Sequence, residues 1–204
     1  MALVKYNNNS ISSVTALASI ASGALVLLAT NNITSGVSSS SFTSNINSTY
    51  DTYMFKFINI HPDSSGGKFS FNLSVDSGSN YNVAKTSTVF RAYHQENGGS
   101  NGLGYQTGLD LAQGTGIQNL AEAMGTNADD SLSGCLYLFN PSSTTFAKHF
   151  IANVVHESGG YQWNAYSGGY GNTTSAINAI QFSLHSGNID SGVIKMYGLS
   201  KSWA

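Results

Sequence analysis

The groups that could carry chemistry in this 204-residue chain are five histidines, ten acidic residues and one cysteine. His61, His94, His149, His156 and His185 sit in five separate segments, and no His-Glu-x-x-His run places two imidazoles on one face. The spacing therefore predicts hydrogen-bonded strand or turn histidines and no metal centre. A single cysteine, Cys135, excludes an intrachain disulfide and a multi-cysteine zinc site. In the run 132–139 it reads as a small buried apolar side chain. Glu96, Asp110, Glu122 and Glu157 are candidate acids, but no spacing pairs two of them as glycoside hydrolysis requires. Serine is too abundant for its presence to indicate a nucleophile. Gly98, Gly99, Gly102 and Gly104 lack the strand-then-helix context and the lysine of a phosphate cradle. Asp129-Asp130 after Asn127, and Asp76 before Asn80, offer oxygen ligands of the kind calcium takes, yet they also suit tight turns capped by Asp and Asn. The reading is of no catalytic residues, no metal and no cofactor.

The aromatic residues are more distinctive. Tyr161, Trp163, Tyr166 and Tyr170 crowd a segment that contains amides and glycines but no charge. Flat uncharged faces of this kind stack on sugar rings or dock a protein partner. They serve equally to cover the end of a β-sandwich, and that use is the commoner one.

These groups must be positioned by strands. Phe69, Phe71, Leu73 and Val75 alternate with Ser70, Asn72 and Ser74, which predicts a strand with one buried and one wet face. Residues 53–60 are apolar on both faces, as in a central strand, and end at His61-Pro62. Residues 38–43 read as a polar, edge-like strand. Residues 87–94 place Thr88, Phe90, Ala92 and His94 opposite Val89, Arg91 and Tyr93. Further strands are expected over 131–140, 146–156, 161–170, 176–185 and 192–199. Residues 116–124 alone carry a helical spacing, Ile117, Leu120 and Met124, and read as a short helical connector. Eight to ten short strands between turn signals predict an all-β fold: an antiparallel β-sandwich, jelly-roll-like, over residues 24–204.

Residues 1–23 form a separate N-terminal arm. Its apolar positions, Val4, Ile11, Val14, Leu17 and Ile20, recur among Ser and Asn, too polar for a core and too apolar to stay free. Lys5 ahead of an apolar stretch invites comparison with a secretory signal. However, Asn7-Asn8-Asn9-Ser10 intervenes, and the continuous apolar run 24–29 is far short of the roughly 20 residues that cross a bilayer. The arm is expected to pack on a neighbouring subunit or on a host structure in the particle.

Charged residues make up 9% of the chain and the net charge is −2. That balance supplies neither a basic footprint for nucleic acid nor a polybasic stripe for a membrane. With 41% hydrophobic and 11% aromatic residues the chain is not of disordered composition. Surfaces built from Ser, Thr and Asn associate with little dependence on salt.

Several blocks carry a family resemblance. Residues 48–55 (Ser-Thr-Tyr-Asp-Thr-Tyr-Met-Phe), 59–62 (Asn-Ile-His-Pro), 79–82 (Ser-Asn-Tyr-Asn), Ser133-Gly134, 138–143 (Leu-Phe-Asn-Pro-Ser-Ser) and 171–178 (Gly-Asn-Thr-Thr-Ser-Ala-Ile-Asn) are similar to small structural proteins of tailed bacteriophages. The most specific block is the ending 186–199, Ser-Gly-Asn-Ile-Asp-Ser-Gly-Val-Ile-Lys-Met-Tyr-Gly-Leu. The resemblance implies a β-sandwich virion protein without a catalytic site, assembled in the host cytoplasm. Its partners would be other virion proteins, such as the major capsid or tail proteins, and sister copies in a homo-oligomer. Two roles follow as expectations: a capsid decoration (cement) protein anchored by the arm, and a tail-fibre or receptor-binding module whose aromatic residues meet a host glycan.

Overall fold

The computed structural model describes residues 25–199, and within them every regular element is a strand. In chain order these are β1 (Leu25–Ile33), β2 (Ser39–Phe42), β3 (Thr52–Pro62), β4 (Phe69–Ser74), β5 (Lys85–Gln95) and β6 (Asn101–Tyr105). They continue with β7 (Gln118–Asn119), β8 (Leu132–Phe139), β9 (Lys148–Ser158), β10 (Tyr161–Gly171), β11 (Ala179–Leu184) and β12 (Ile189–Leu199). Eight strands form one sheet in the order β1-β12-β3-β8-β9-β10-β5-β6, and four form a second in the order β2-β11-β4-β7. All pairings are antiparallel. The molecule is thus an all-β sandwich of two unequal layers.

Alternation along the strands fills the space between the layers. Tyr53, Phe55 and Phe57 of β3, Phe69, Phe71 and Leu73 of β4, and Ile180 and Phe182 of β11 are fully buried. Phe182 is the hub: its ring lies 5.4 Å from Phe55, 5.1 Å from Phe57 and 5.9 Å from Phe69. Phe71 meets Phe150 of β9 edge-on at 5.0 Å and ties the two sheets together farther along. Such pairs add about 0.5–1.5 kcal/mol each beyond their area burial.

Two expectations are corrected. β4 is buried on both faces, although Ser70, Asn72 and Ser74 were expected to be wet. The long loops on either side of it supply partners: Ser70 Oγ donates to Asn119 Oδ1, and Asn72 Nδ2 donates to the carbonyls of Tyr81 and Thr115. Polar side chains with satisfied hydrogen bonds can be buried at little cost. Residues 116–124 form no helix. Gln118–Asn119 is the two-residue edge strand β7, and Leu120, Ala121 and Met124 drop into the core from extended chain. Tertiary burial overrides the local helical spacing.

Candidate assembly surface

The large sheet has twice as many strands as the small one, and among the described residues none packs over its outer face. Register defines what that face carries. One cross-strand row runs Leu27, Tyr197, Met54, Tyr137 and Ile151 through β1, β12, β3, β8 and β9, with no polar side chain except the tyrosine hydroxyls. Leu27 is 52% exposed and Ile151 55%. The neighbouring row begins with Leu25, Leu199, Thr52 and Phe139, and Phe139 stacks on Tyr137 at 6.5 Å. On the other side runs Thr30, Lys195, Lys56, Cys135, Asn153, Tyr166, Phe90 and Tyr105, crossing all eight strands. Phe90 and Tyr166 stack in parallel at 5.1 Å, both exposed to water, with exposed Leu103 on the adjoining edge. Lys56 and Lys195 face each other across β3 and β12, and among the described residues neither makes an ion pair. A concavity of about 540 Å³ on this face is lined by Met54, Lys56, Ile58, Gly134, Cys135 and Tyr137. Cys135 is half-buried there, not a core residue as its run suggested.

The four aromatic residues of β10 divide between the two faces, as a period of two requires. Tyr166 and Tyr170 point outward. Tyr170 Oη accepts from Gln113 Nε2 at 3.3 Å and its ring lies 6.1 Å from His149. Tyr161 and Trp163 share the phase of buried Ala165 and Ser167, on the inner face beyond the end of the small sheet. There the Arg91 guanidinium lies 4.4 Å over the Trp163 ring, and Arg91 Nη1 pairs with Glu122 Oε1 at 2.7 Å. Trp163 is flanked by Tyr161, Tyr93 and His156 at 5.3, 5.1 and 6.2 Å. The arm positions Val4, Ile11, Val14, Leu17 and Ile20 lie outside the described residues.

The same end of the sandwich concentrates titratable groups that no local pattern joins. His156 is buried on the inner face, and both its ring nitrogens lack a hydrogen-bond partner. Burial, reinforced by the nearby Arg91 charge and opposed by Asp130, lowers its pKa to about 4. Asp130 is also buried, and its Oδ2 accepts the Asn127 N–H at 3.0 Å. Its carboxyl contacts that of Glu157, whose pKa is raised first by this hydrogen bond and then by burial. The contact joins residues 27 positions apart in the chain. Asp76 caps its turn: Oδ1 accepts Asn80 N–H at 2.8 Å and Oδ2 accepts Asn80 Nδ2 at 2.7 Å, which with the Ser74 hydroxyl holds its pKa at about 2. Among the described residues no three His, Cys, Asp or Glu side chains converge as a metal cluster. Residues 98–102, Gly-Gly-Ser-Asn-Gly, match the nucleophile pattern Gly-x-Ser-x-Gly, but they lie at the turn of the β5–β6 hairpin. A nucleophile elbow needs a strand-to-helix turn.

At the opposite end of β5 and β9, Lys85 and Lys148 flank Gly171 of β10, one on each side. Both are buried, and among the described residues neither has an acidic partner. Lys85 Nζ donates to Asn72 Oδ1 at 2.5 Å and to Val83 O at 2.9 Å; Lys148 Nζ donates to the carbonyls of Phe146 and Thr173. Burial lowers both pKa values, that of Lys85 to about 8.

Comparison with protein families, curated proteins and solved structures found no match.

Proposed function

We propose that this chain is a bacteriophage virion structural protein, a capsid-associated decoration (cement) protein that assembles through its N-terminal arm and its sandwich surfaces. The observation that carries an assembly role is the open, apolar outer face of the eight-stranded sheet. A face with Leu27, Ile151, Phe90 and Tyr166 exposed costs free energy in water and gains it when covered. Eight strands at about 4.8 Å spacing and about 30 Å in length offer about 1,000 Å², against about 800 Å² per partner in a standard specific interface. The assignment to a virion rests on the sequence resemblance alone. Its test is to purify particles released from cells in which the chain is produced and quantify it by mass spectrometry. Hundreds of copies per particle are expected, and absence from particles overturns the reading.

A second reading, a tail-fibre or receptor-binding module, draws on the exposed Phe90–Tyr166 pair, two stacked aromatic rings open to solvent. Trp163 contributes less, because Arg91 already covers its ring. A handful of copies per particle, with adsorption reduced at least tenfold by Tyr166→Ala, would favour this reading over decoration.

A further inference from the structure

The row Leu27, Tyr197, Met54, Tyr137 and Ile151 is apolar apart from its two tyrosine hydroxyls. It crosses five strands, hence about 19 Å. Residues 1–24 join the fold at Leu25, in the corner where this row and its neighbour begin. Extended, 24 residues reach up to about 80 Å, ample to cross any part of a sheet face about 34 Å wide. Their chemistry fits the face. They contain no acidic residue and one lysine, and Ile11, Val14, Leu17 and Ile20 recur every three residues among small Ser, Thr and Ala side chains. Direction selects whose face is covered. β1 is an edge strand whose first residue, Leu25, pairs with the last residue of β12, Leu199, so a chain continued along the line of β1 would leave its own sheet at that end.

We infer that residues 11–20 of one copy lie across the outer face of the large sheet of a sister copy, along the Leu27–Ile151 row. The inference rests on the assembly role proposed above and names the occupant of that surface. The arm's aliphatic side chains fill the concavity around Met54 and Tyr137. Cys135, on the same face and the only cysteine of the chain, lies beneath the docked segment and serves as its reporter.

The experiment uses the full chain. The rate of Cys135 modification by a maleimide is measured across protein concentrations, with oligomeric state read by light scattering. Protection that grows with concentration, at least tenfold between monomer and oligomer, is expected. Leu17→Asp, and independently Val14→Asp, should abolish the protection and leave a monomer with an unchanged β-sheet circular dichroism spectrum. Equal modification rates in all three proteins at every concentration overturn the inference. Protection that is independent of concentration and lost in Leu17→Asp also overturns it, because the arm then covers its own sheet. Because this assay reads only the purified chain, its failure leaves the particle count untouched, and a zero particle count leaves this docking untouched.

Discussion

At the scale of single residues, the buried ionisable groups set how stability follows pH. His156 has a folded pKa of about 4 against an unfolded value of 6.5. The unfolded chain therefore takes up the proton first as pH falls. Stability is full above about pH 6.5 and declines by up to about 3 kcal/mol as pH falls to about 4. Urea midpoints measured from pH 7 to 4 should show this decline, and His156→Phe, which keeps a ring against Trp163, should flatten it. An unchanged slope in that variant means His156 is not the group responsible. Lys85 works in the same direction in another window. Its folded pKa of about 8 lies below the usual 10.5, so the folded state releases its proton while the unfolded chain still holds one. Stability is expected to rise between about pH 8 and 10.5, and Lys85→Met to remove that rise. Neither group was legible in the sequence. A lysine beginning an alternating strand reads as exposed, and only the arrival of Asn72 from the other sheet makes Lys85 a buried donor.

At the scale of the element, alternation could be read wherever a strand has one buried and one wet face, as β5 does. It failed where long-range partners change what a face meets. The serines and asparagine of β4 are buried because loops 76–84 and 111–119 bring them hydrogen-bond partners. β6, Asn-Gly-Leu-Gly-Tyr, has too little apolar content to announce itself, and it exists because it pairs with β5. The division of Tyr161 and Trp163 from Tyr166 and Tyr170 was implicit in the strand period; which pair faces water depends on which side the small sheet covers. Gly169 tests the tightness of the β10–β5 pairing. A Cβ there would meet the carbonyl of Thr86, sit 2.8 Å from Ser87 Cα and 2.9 Å from the Phe150 ring. Backbone on β5 cannot yield cheaply, so Gly169→Ala is expected to destabilise by about 1–3 kcal/mol. Gly168→Ala is the control on the neighbouring position, since its Cβ meets nothing closer than 3.9 Å. Equal melting temperatures for the two variants would show that β10 and β5 are less tightly apposed than the register indicates.

At the scale of the whole molecule, the scarcity of charge determines how association should respond to solvent. Ions screen charges within about 3 Å at 1 M salt and within about 10 Å at 0.1 M. An interface held by ion pairs therefore weakens as salt rises. The outer face carries one apolar row across five strands, and beside it Lys56 and Lys195 repel each other without an acidic partner among the described residues. Screening can only relieve that repulsion. Sodium chloride raised from 0.05 to 1 M should leave the self-association constant within about threefold or strengthen it, while sulfate should tighten it and cooling should loosen it. Sedimentation equilibrium at several salt concentrations and temperatures reads all three effects. Association that falls more than tenfold in 1 M sodium chloride would place the contact on charged groups such as Arg91 and Glu122 at the sandwich ends. In that case the apolar face would be covered by something other than a sister copy, and the ends would be the surfaces through which the particle, or any other partner, holds this protein.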